Sequence, residues 1–394
     1  MATPRTIRKI NRLRALRMAM RMGQVSRAGL ARELEMMRSN AGSLMEDLLR
    51  EGSLRPTAPD KAMAGKVSGR PAQFYELNPS YAHFIGVEVG VRRLRLLARD
   101  FSGKIRCEFS EMLAANHQAP AVVCLRVIRM IRRALDDLGW PEDQSLSLGL
   151  TFPGIVNRDG MIVRAPILGW HNVSIMNELW SAFPHLRDIL CENDANAFVL
   201  AEIEDGAIRD VQNALGIWLD VGVGGAIVNN GRLMRGENGF SGEFGHILFI
   251  NGAMTGCEPV RAETLIGRDA VIDPFAKLMG RELSIQDIVR LLENDEIGDE
   301  GHAILDGWLR RCAALLASLV SVLDSRMILI GGPLSDLLLN DVTALTEGIQ
   351  SLLLPGTTCP RLALAETGMA AAASGVTFML RDRLMELAAL TDLG

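Results

Sequence analysis

Apolar and polar residues alternate along the first fifty positions with helical spacing. Ile7, Ile10, Leu13 and Leu16 return every three residues, with Arg5, Arg8, Lys9, Arg12 and Arg14 around them. This pattern predicts an amphipathic helix that stops at Gly23. Ser26 is placed to cap a second short helix, from Arg27 to about residue 35. A third helix, from about residue 39 to 51, turns Ala41, Leu44, Leu48 and Leu49 inward and ends at Gly52. Residues 53–57 and 73–77 read as two strands around a Gly/Ala/Lys-rich tip that holds Lys61, Lys66 and Arg70. Gly65 and Gly69 let that tip turn and approach another surface closely. Three short helices and such a hairpin predict a winged helix-turn-helix over residues 1–77.

After a short linker at Asn78-Pro79-Ser80 the pattern becomes α/β. A buried strand is expected at residues 84–90 and a second at 95–98, turning at Asp100-Phe-Ser-Gly103. A long helix at about 119–138 and a strand at 145–150, entering Thr151-Phe-Pro-Gly154, follow. Residues 214–220 run into Val221-Gly-Val-Gly-Gly225, and 327–330 end in Gly331-Gly332-Pro333. Strands that end in glycine turns and alternate with helices mark open α/β sheets that bind ligands at strand ends. The similar starts near residues 84 and 214 predict two lobes with a cleft between them. The amphipathic helix Leu305, Leu309, Cys312, Leu316, Leu319, Leu323 is assigned to the core rather than to a dimer interface.

Charge sharpens this picture. Residues 1–70 carry 15 Lys and Arg against six Asp and Glu, whereas residues 71–394 carry 27 against 41. The formal net charge of −5 therefore hides a basic head on an acidic body. A basic helical module gains affinity for duplex DNA by releasing condensed counterions. In the third helix Arg38, Ser39, Asn40 and Ser43 would face base edges, supported by Arg27, Lys66 and Arg70. A solvated basic surface or a protein partner are the alternatives for the same residues. Gly42, inside that helix, costs about 1 kcal/mol relative to Ala, and close approach to DNA is one reason to keep it. The N-terminus has no uninterrupted apolar stretch behind its charges, no run approaches a membrane span, and the six cysteines form no CxxC pair. A cytoplasmic protein with free thiols is expected. Aromatics are too scarce for a single-strand stacking platform.

Five blocks now fall in one order: residues 149–156, 165–170, Glu192-Asn-Asp-Ala-Asn-Ala197, Gly231-Arg-Leu-Met-Arg-Gly236 and Gly242-Glu-Phe-Gly-His-Ile247, behind the head and Ser68-Gly-Arg-Pro71. In this order the chain resembles the ROK family of repressors, open reading frames and sugar kinases, and specifically its regulators of the N-acetylglucosamine and xylose repressor type. The resemblance implies a two-lobed hexokinase/actin-like (ribonuclease H-like) domain. Lobe 1 would take residues 82–197 plus about 376–394, and lobe 2 residues 198–375. It also implies a sugar site at Asn193, Asp194, Glu243, His246 and Glu263, with Asp194 as general base if the protein were a kinase.

The same resemblance exposes departures. The first phosphate loop reads Glu88-Val-Gly-Val-Arg-Arg93, where the family has Asp-x-Gly-Gly-Thr. The second has Asp220 and Val221 in place of Gly and Thr. These changes argue against efficient ATP use, so no catalytic residue and no cofactor are expected. A zinc cluster is not expected either, because His246 and Cys257 supply at most two of four ligands. Ile167 stands where the family often places a sugar-contacting Asn. The effector is thereby left open among a deoxy sugar, an amino-sugar derivative and another polyol, or none. The reading is a sugar-responsive repressor that binds an operator as a homodimer or homotetramer. An active sugar kinase with a DNA-binding appendage, and a DNA-binding scaffold without effector, are its alternatives.

Overall fold

The computed structural model describes residues 4–58, 73–113, 119–209, 211–250, 258–339 and 341–388. The head begins with α1 (Pro4–Met22), β1 (Val25–Ser26), α2 (Arg27–Glu33) and α3 (Arg38–Arg50), and ends with β2 (Leu54–Thr57) and β3 (Phe74–Leu77). Ser26 caps α2, its Oγ accepting from Gly29 N at 3.1 Å. Gly23 and Gly52 close α1 and α3 with φ of +72° and +82°, a conformation that favours glycine. The three strands form one antiparallel sheet in the order β1-β3-β2.

The expected stripe of α1 is only half right. Leu16 is buried with Ala15, Met18 and Ala19, but Ile7 and Ile10 stay 50% and 49% exposed. The reason is geometric: each residue turns a helix by about 100°, so nine residues rotate a side chain by half a revolution. Ile7 and Leu16 therefore face opposite sides. Arg8 and Arg12 are not free surface charges either, since they pair with Asp47 and Glu51 and tie α1 to α3. In α3, Met45 takes a fully buried place beside Ala41, Leu44 and Leu48, and Leu49 is half-buried. The tip residues Lys61, Lys66 and Arg70 lie outside the described residues.

The chain continues as β4 (His83–Val89), β5 (Arg93–Asp100), β6 (Ile105–Met112), α4 (Pro120–Leu138), β7 (Leu146–Phe152), β8 (Ile155–Val156) and β9 (Ile162–Ala165). Then come β10 (Trp170–Val173), α5 (Met176–Ala182), β11 (Asp188–Asn193), α6 (Asp194–Asp205), β12 (Ala214–Leu219), β13 (Val223–Asn229) and β14 (Arg232–Leu233). After these are β15 (Leu248–Ile250), β16 (Pro259–Arg261), α7 (Ala262–Ile266), α8 (Asp269–Met279), α9 (Ile285–Glu293) and α10 (Gly298–Leu323). The last elements are β17 (Met327–Gly331), α11 (Thr343–Leu352), β18 (Arg361–Leu364) and α12 (Ala371–Ala388).

The described residues fall into two compact units. One draws on the ranges 1–152, 166–191 and 376–394, the other on 153–165 and 192–375. The second unit thus begins at Glu192, six residues before the expected lobe boundary, and takes in the β8–β9 hairpin. The first holds a sheet ordered β11-β7-β4-β5-β6, with β4 parallel to β7 and antiparallel to β5. The second holds β14-β13-β12-β17-β18, with β12 parallel to β17 and antiparallel to β13. Read outward from β4 and from β12, the two orders are the same. Val123, Val127, Ile131 and Leu135 bury one face of α4 in the first unit, and Gly139 closes the helix with φ +62°.

In the second unit α10 is a core helix, as expected. Trp308, Cys312, Leu315, Leu316 and Leu319 are buried among residues of β12 and β17. In the first unit the buried side chains of the head form one cluster with Phe84, Phe101 and the α12 residues Leu380, Leu384 and Met385. Among the described residues no helix is long and apolar enough to cross a membrane. The five described cysteines are free.

Candidate functional site

Strand β11 ends where Asn193 takes the N-cap of α6. Its Oδ1 accepts from Asn196 N at 3.0 Å, and its Nδ2 donates to Gly154 O at 2.9 Å. Asn193 therefore first fixes this corner, and its amide keeps one further N–H for a ligand. Asp194 opens α6, with Oδ1 accepting from Ala195 N at 2.8 Å. The first turn of a helix favours a negative charge there.

Beneath them lies Glu192, 6% exposed. Its Oε1 accepts from Asn193 N and Asn196 Nδ2, each at 2.9 Å. Its Oε2 accepts from Nε and Nη2 of Arg235 at 3.0 and 2.8 Å. Arg235, in the block of residues 231–236, braces this corner, a role that its residue type alone does not reveal. Glu237 and Glu243 stand nearer to Arg235 in the chain than Glu192 does, so the block gives no sign of which carboxylate it pairs with. The loop that carries it is pinned to the β8–β9 hairpin. Arg158 Nη2 donates to Gly236 O at 2.9 Å, and Gly239, at φ +84°, brings its Cα where a Cβ would stand 2.8 Å from Val156 O.

The other expected residues form a second group. Gly242 has φ +98°, and a Cβ on it would stand 2.3 Å from Gly225 O. Only glycine lets the Glu243 turn sit this close to β13. A Cβ on Gly245 would stand 2.5 Å from Val223 O and 3.3 Å from Glu263 Cβ, so this glycine lets α7 bring Glu263 up to the turn. Glu243 Oε2 and His246 Nε2 are 3.9 Å apart. Burial pushes the Glu243 carboxyl above the ordinary range; His246 opposes the rise and the charge of Glu263 adds to it. A carboxyl and an imidazole side by side offer an acceptor and a donor that suit a hydroxylated ligand.

The two groups meet β13 from opposite faces. Ala195 of α6 lies 3.3 Å from where a Cβ of Gly224 would be, and the Phe244 ring 2.2 Å from that of Gly225. All five residues assigned to sugar belong to the second unit. Among the described residues no cluster of three or more His, Cys, Asp or Glu is disposed to hold a metal ion. Cys257 lies outside them.

The loops that resembled phosphate sites have protein partners of their own. Glu88 faces Arg95 across the β4–β5 pair and accepts from its Nη1 at 2.6 Å. The turn after β12 is held by Asp220 N donating to Gly222 O at 3.0 Å and by Arg268 N donating to Asp220 O at 2.9 Å. Gly331 and Gly332 answer to packing. A Cβ on the first would meet the Phe198 ring at 2.4 Å, and one on the second, at φ +91°, would meet Leu219 O at 2.3 Å.

In the head, Arg38, Ser39, Asn40 and Ser43 are all exposed on α3. Arg27, half-exposed, lies 3.6 Å from Glu46. Lys66 and Arg70 are outside the described residues.

Known proteins share this architecture. A ROK family transcriptional regulator, a homologue of the E. coli MLC protein, superposes with a TM-score of 0.79 at 21% identity, covering 98% of this chain and 99% of its own. The xylose repressor of Bacillus subtilis (strain 168) is 24% identical over 293 residues, 74% of each chain. The N-acetyl-D-glucosamine kinase of Salmonella gallinarum (strain 287/91 / NCTC 13346) is 25% identical over 318 residues, 75% of this chain and 98% of the kinase. The ROK family profile matches residues 84–383, and the chain belongs to the ROK family.

Proposed function

We propose that this protein is a sugar-responsive transcriptional repressor whose kinase-like body binds a carbohydrate without phosphorylating it. The observation that carries the reading is the head. In the reading of residues 1–77 as a DNA-binding winged helix-turn-helix, α3 is the reading helix, and it exposes Arg38, Ser39, Asn40 and Ser43. Arginine and asparagine suit bidentate contacts to guanine and adenine. The solved regulator matches nearly the whole chain, head included, whereas the kinase relative matches three-quarters of it. A homodimer or homotetramer would set two heads on an inverted repeat.

The body supplies the effector site. Asp194, Asn193, Glu243, His246 and Glu263 offer acceptors and donors for sugar hydroxyls. Against phosphoryl transfer stands the altered first phosphate loop, whose Glu88 is paired with Arg95. The kinase reading rests on Asp194, at the position of a general base, and on the kinase relative.

Helix α12 gives a route from effector to DNA. A Cβ on Gly375 would stand 1.7 Å from Ala197 O of α6, so the two helices touch backbone to backbone three residues from Asp194. Farther along the same helix Leu380, Leu384 and Met385 belong to the core of the head. A ligand that favours one arrangement of the heads a hundredfold supplies about 2.7 kcal/mol of coupling.

The test is an operator mobility shift with and without a panel of pentoses, hexoses and amino sugars. A sugar that changes the shift supports the reading. Failure to bind any duplex at low salt, or brisk sugar phosphorylation abolished by Asp194→Asn, would overturn it.

A further inference from the structure

We propose that the second unit carries a separate pocket for a small organic carboxylate with an apolar body, between α7, α10 and β15. The clue is a glycine without a backbone reason. Gly307 lies inside α10, where glycine is unfavourable, and its φ is not left-handed. A Cβ there would stand 3.3 Å from Arg311 Nη1, which would have to give by a few tenths of an ångström, and in ordinary contact with Arg310 Nη2 at 3.9 Å. Two guanidinium groups thus converge over one point of the helix surface.

Arg311 is fixed in that pose, its Nε donating to Leu265 O at 2.8 Å. Neither guanidinium has a carboxylate partner among the described residues. Two like charges held side by side repel, and a shared anion is what removes the repulsion. Planar guanidinium forks match a carboxylate in particular.

Behind the charges the lining is apolar. Phe249 of β15, Leu265 and Ile266 of α7, and Ala314, two turns along α10 from Gly307, line a half-open cavity of about 280 Å³. This lies at the lower edge of small-molecule sites and suits a single ring or a short chain. The walls offer no side-chain acceptor, so a sugar would find none for its hydroxyl protons there. An apolar acid with one anionic head is the complementary ligand.

The position gives such a ligand leverage. Helix α7 also carries Glu263, and β15 follows the Glu243–His246 turn directly. If the sugar reading of that turn holds, acid and sugar would each alter the affinity of the other by the same factor.

The probes are benzoate and octanoate, with benzyl alcohol and 1-octanol as neutral counterparts, titrated calorimetrically into the full chain. Saturable binding of at least one acid and none of its alcohol is expected. Arg310→Gln should weaken that binding about tenfold, as should Arg311→Gln. Gly307→Leu should abolish it by filling the cavity, with circular dichroism reporting that the helix is intact. Arg310 makes no hydrogen bond within the described chain, so its variant keeps the test clean of folding. No saturation below about 10 mM, or equal binding of acid and alcohol, overturns the proposal. So does undiminished binding in the Gln variants. A change of oligomeric state in the double Gln variant without acid binding would instead make this face an interface between copies. Operator and sugar binding, measured on the same preparations, report on the repressor reading separately.

Discussion

Replacing Arg235 with methionine removes the two donors that cover Oε2 of Glu192. That carboxylate is 6% exposed, and the Arg235 side chain is 41% exposed. Removing one partner of a fully buried pair costs about 3–5 kcal/mol, because a charge is left without compensation. Water can reach the Arg235 side, and Oε1 keeps its two donors, so about 2–3 kcal/mol is expected for Arg235→Met. Glu192→Gln alone should cost less, about 1 kcal/mol, since the half-exposed guanidinium left behind can hydrate. In the double variant no charge is stranded. The cycle should therefore show a coupling of about 1–2 kcal/mol, with the double variant more stable than Arg235→Met. Urea unfolding followed by fluorescence and circular dichroism measures each corner. Asn193 hangs on the same carboxylate, so Arg235→Met should also weaken sugar binding. A double-mutant coupling under about 0.5 kcal/mol would refute the view that this pair holds the Asn193–Asp194 corner.

Four further outcomes follow from the same structure. Gly42→Ala should stabilise the head by about 1 kcal/mol, since a Cβ there meets nothing within 4 Å; calorimetry checks this, and a parallel loss of operator affinity would show that DNA approaches that face. Arg38→Ala and Asn40→Ala should each cost about 1–3 kcal/mol of operator binding at their own base position without moving the melting temperature, as read by mobility shifts on substituted duplexes. Glu243 has its carboxyl raised by burial, so its protonated form is the one the fold prefers. Its contribution to stability is full below the ordinary carboxylate range and is lost as pH rises through the raised value. Glu243→Gln should therefore be more stable than the parent at neutral pH and equal to it in acid, a difference visible in melting temperature against pH. Gly245→Ala should cost about 1–3 kcal/mol by pressing on Val223 O and push Glu263 away from Glu243, which isothermal titration with the effector sugar would register as weaker binding.

Much of this was open to reading in the chain because it depends on near neighbours. Ser26 caps α2 through an atom three residues away, and Gly23, Gly52 and Gly139 stop helices through their own φ. The period of α10 placed it in the core. The errors have equally local causes. A spacing of three drifts around the helix, so Ile7 and Ile10 do not share the buried face of Leu16. Strand β6, Ile105-Arg-Cys-Glu-Phe-Ser-Glu-Met112, is an edge strand with five of its eight residues exposed and none buried, so its apolar residues mark no core face that a sequence pattern could report.

By itself, then, the sequence determined several helix ends and strand turns, which segment is basic, and which residue types could meet a sugar or a base edge. Only the tertiary structure decided which of those groups share a neighbourhood. Glu192 finds Arg235 across 43 positions, Glu263 reaches Glu243 because Gly245 has no side chain, and Glu88 is claimed by Arg95 through strand register. Periodicity reports how a side chain points from its own helix or strand. It carries no term for what another element brings to meet it, and the pairing of buried charges is set by that meeting.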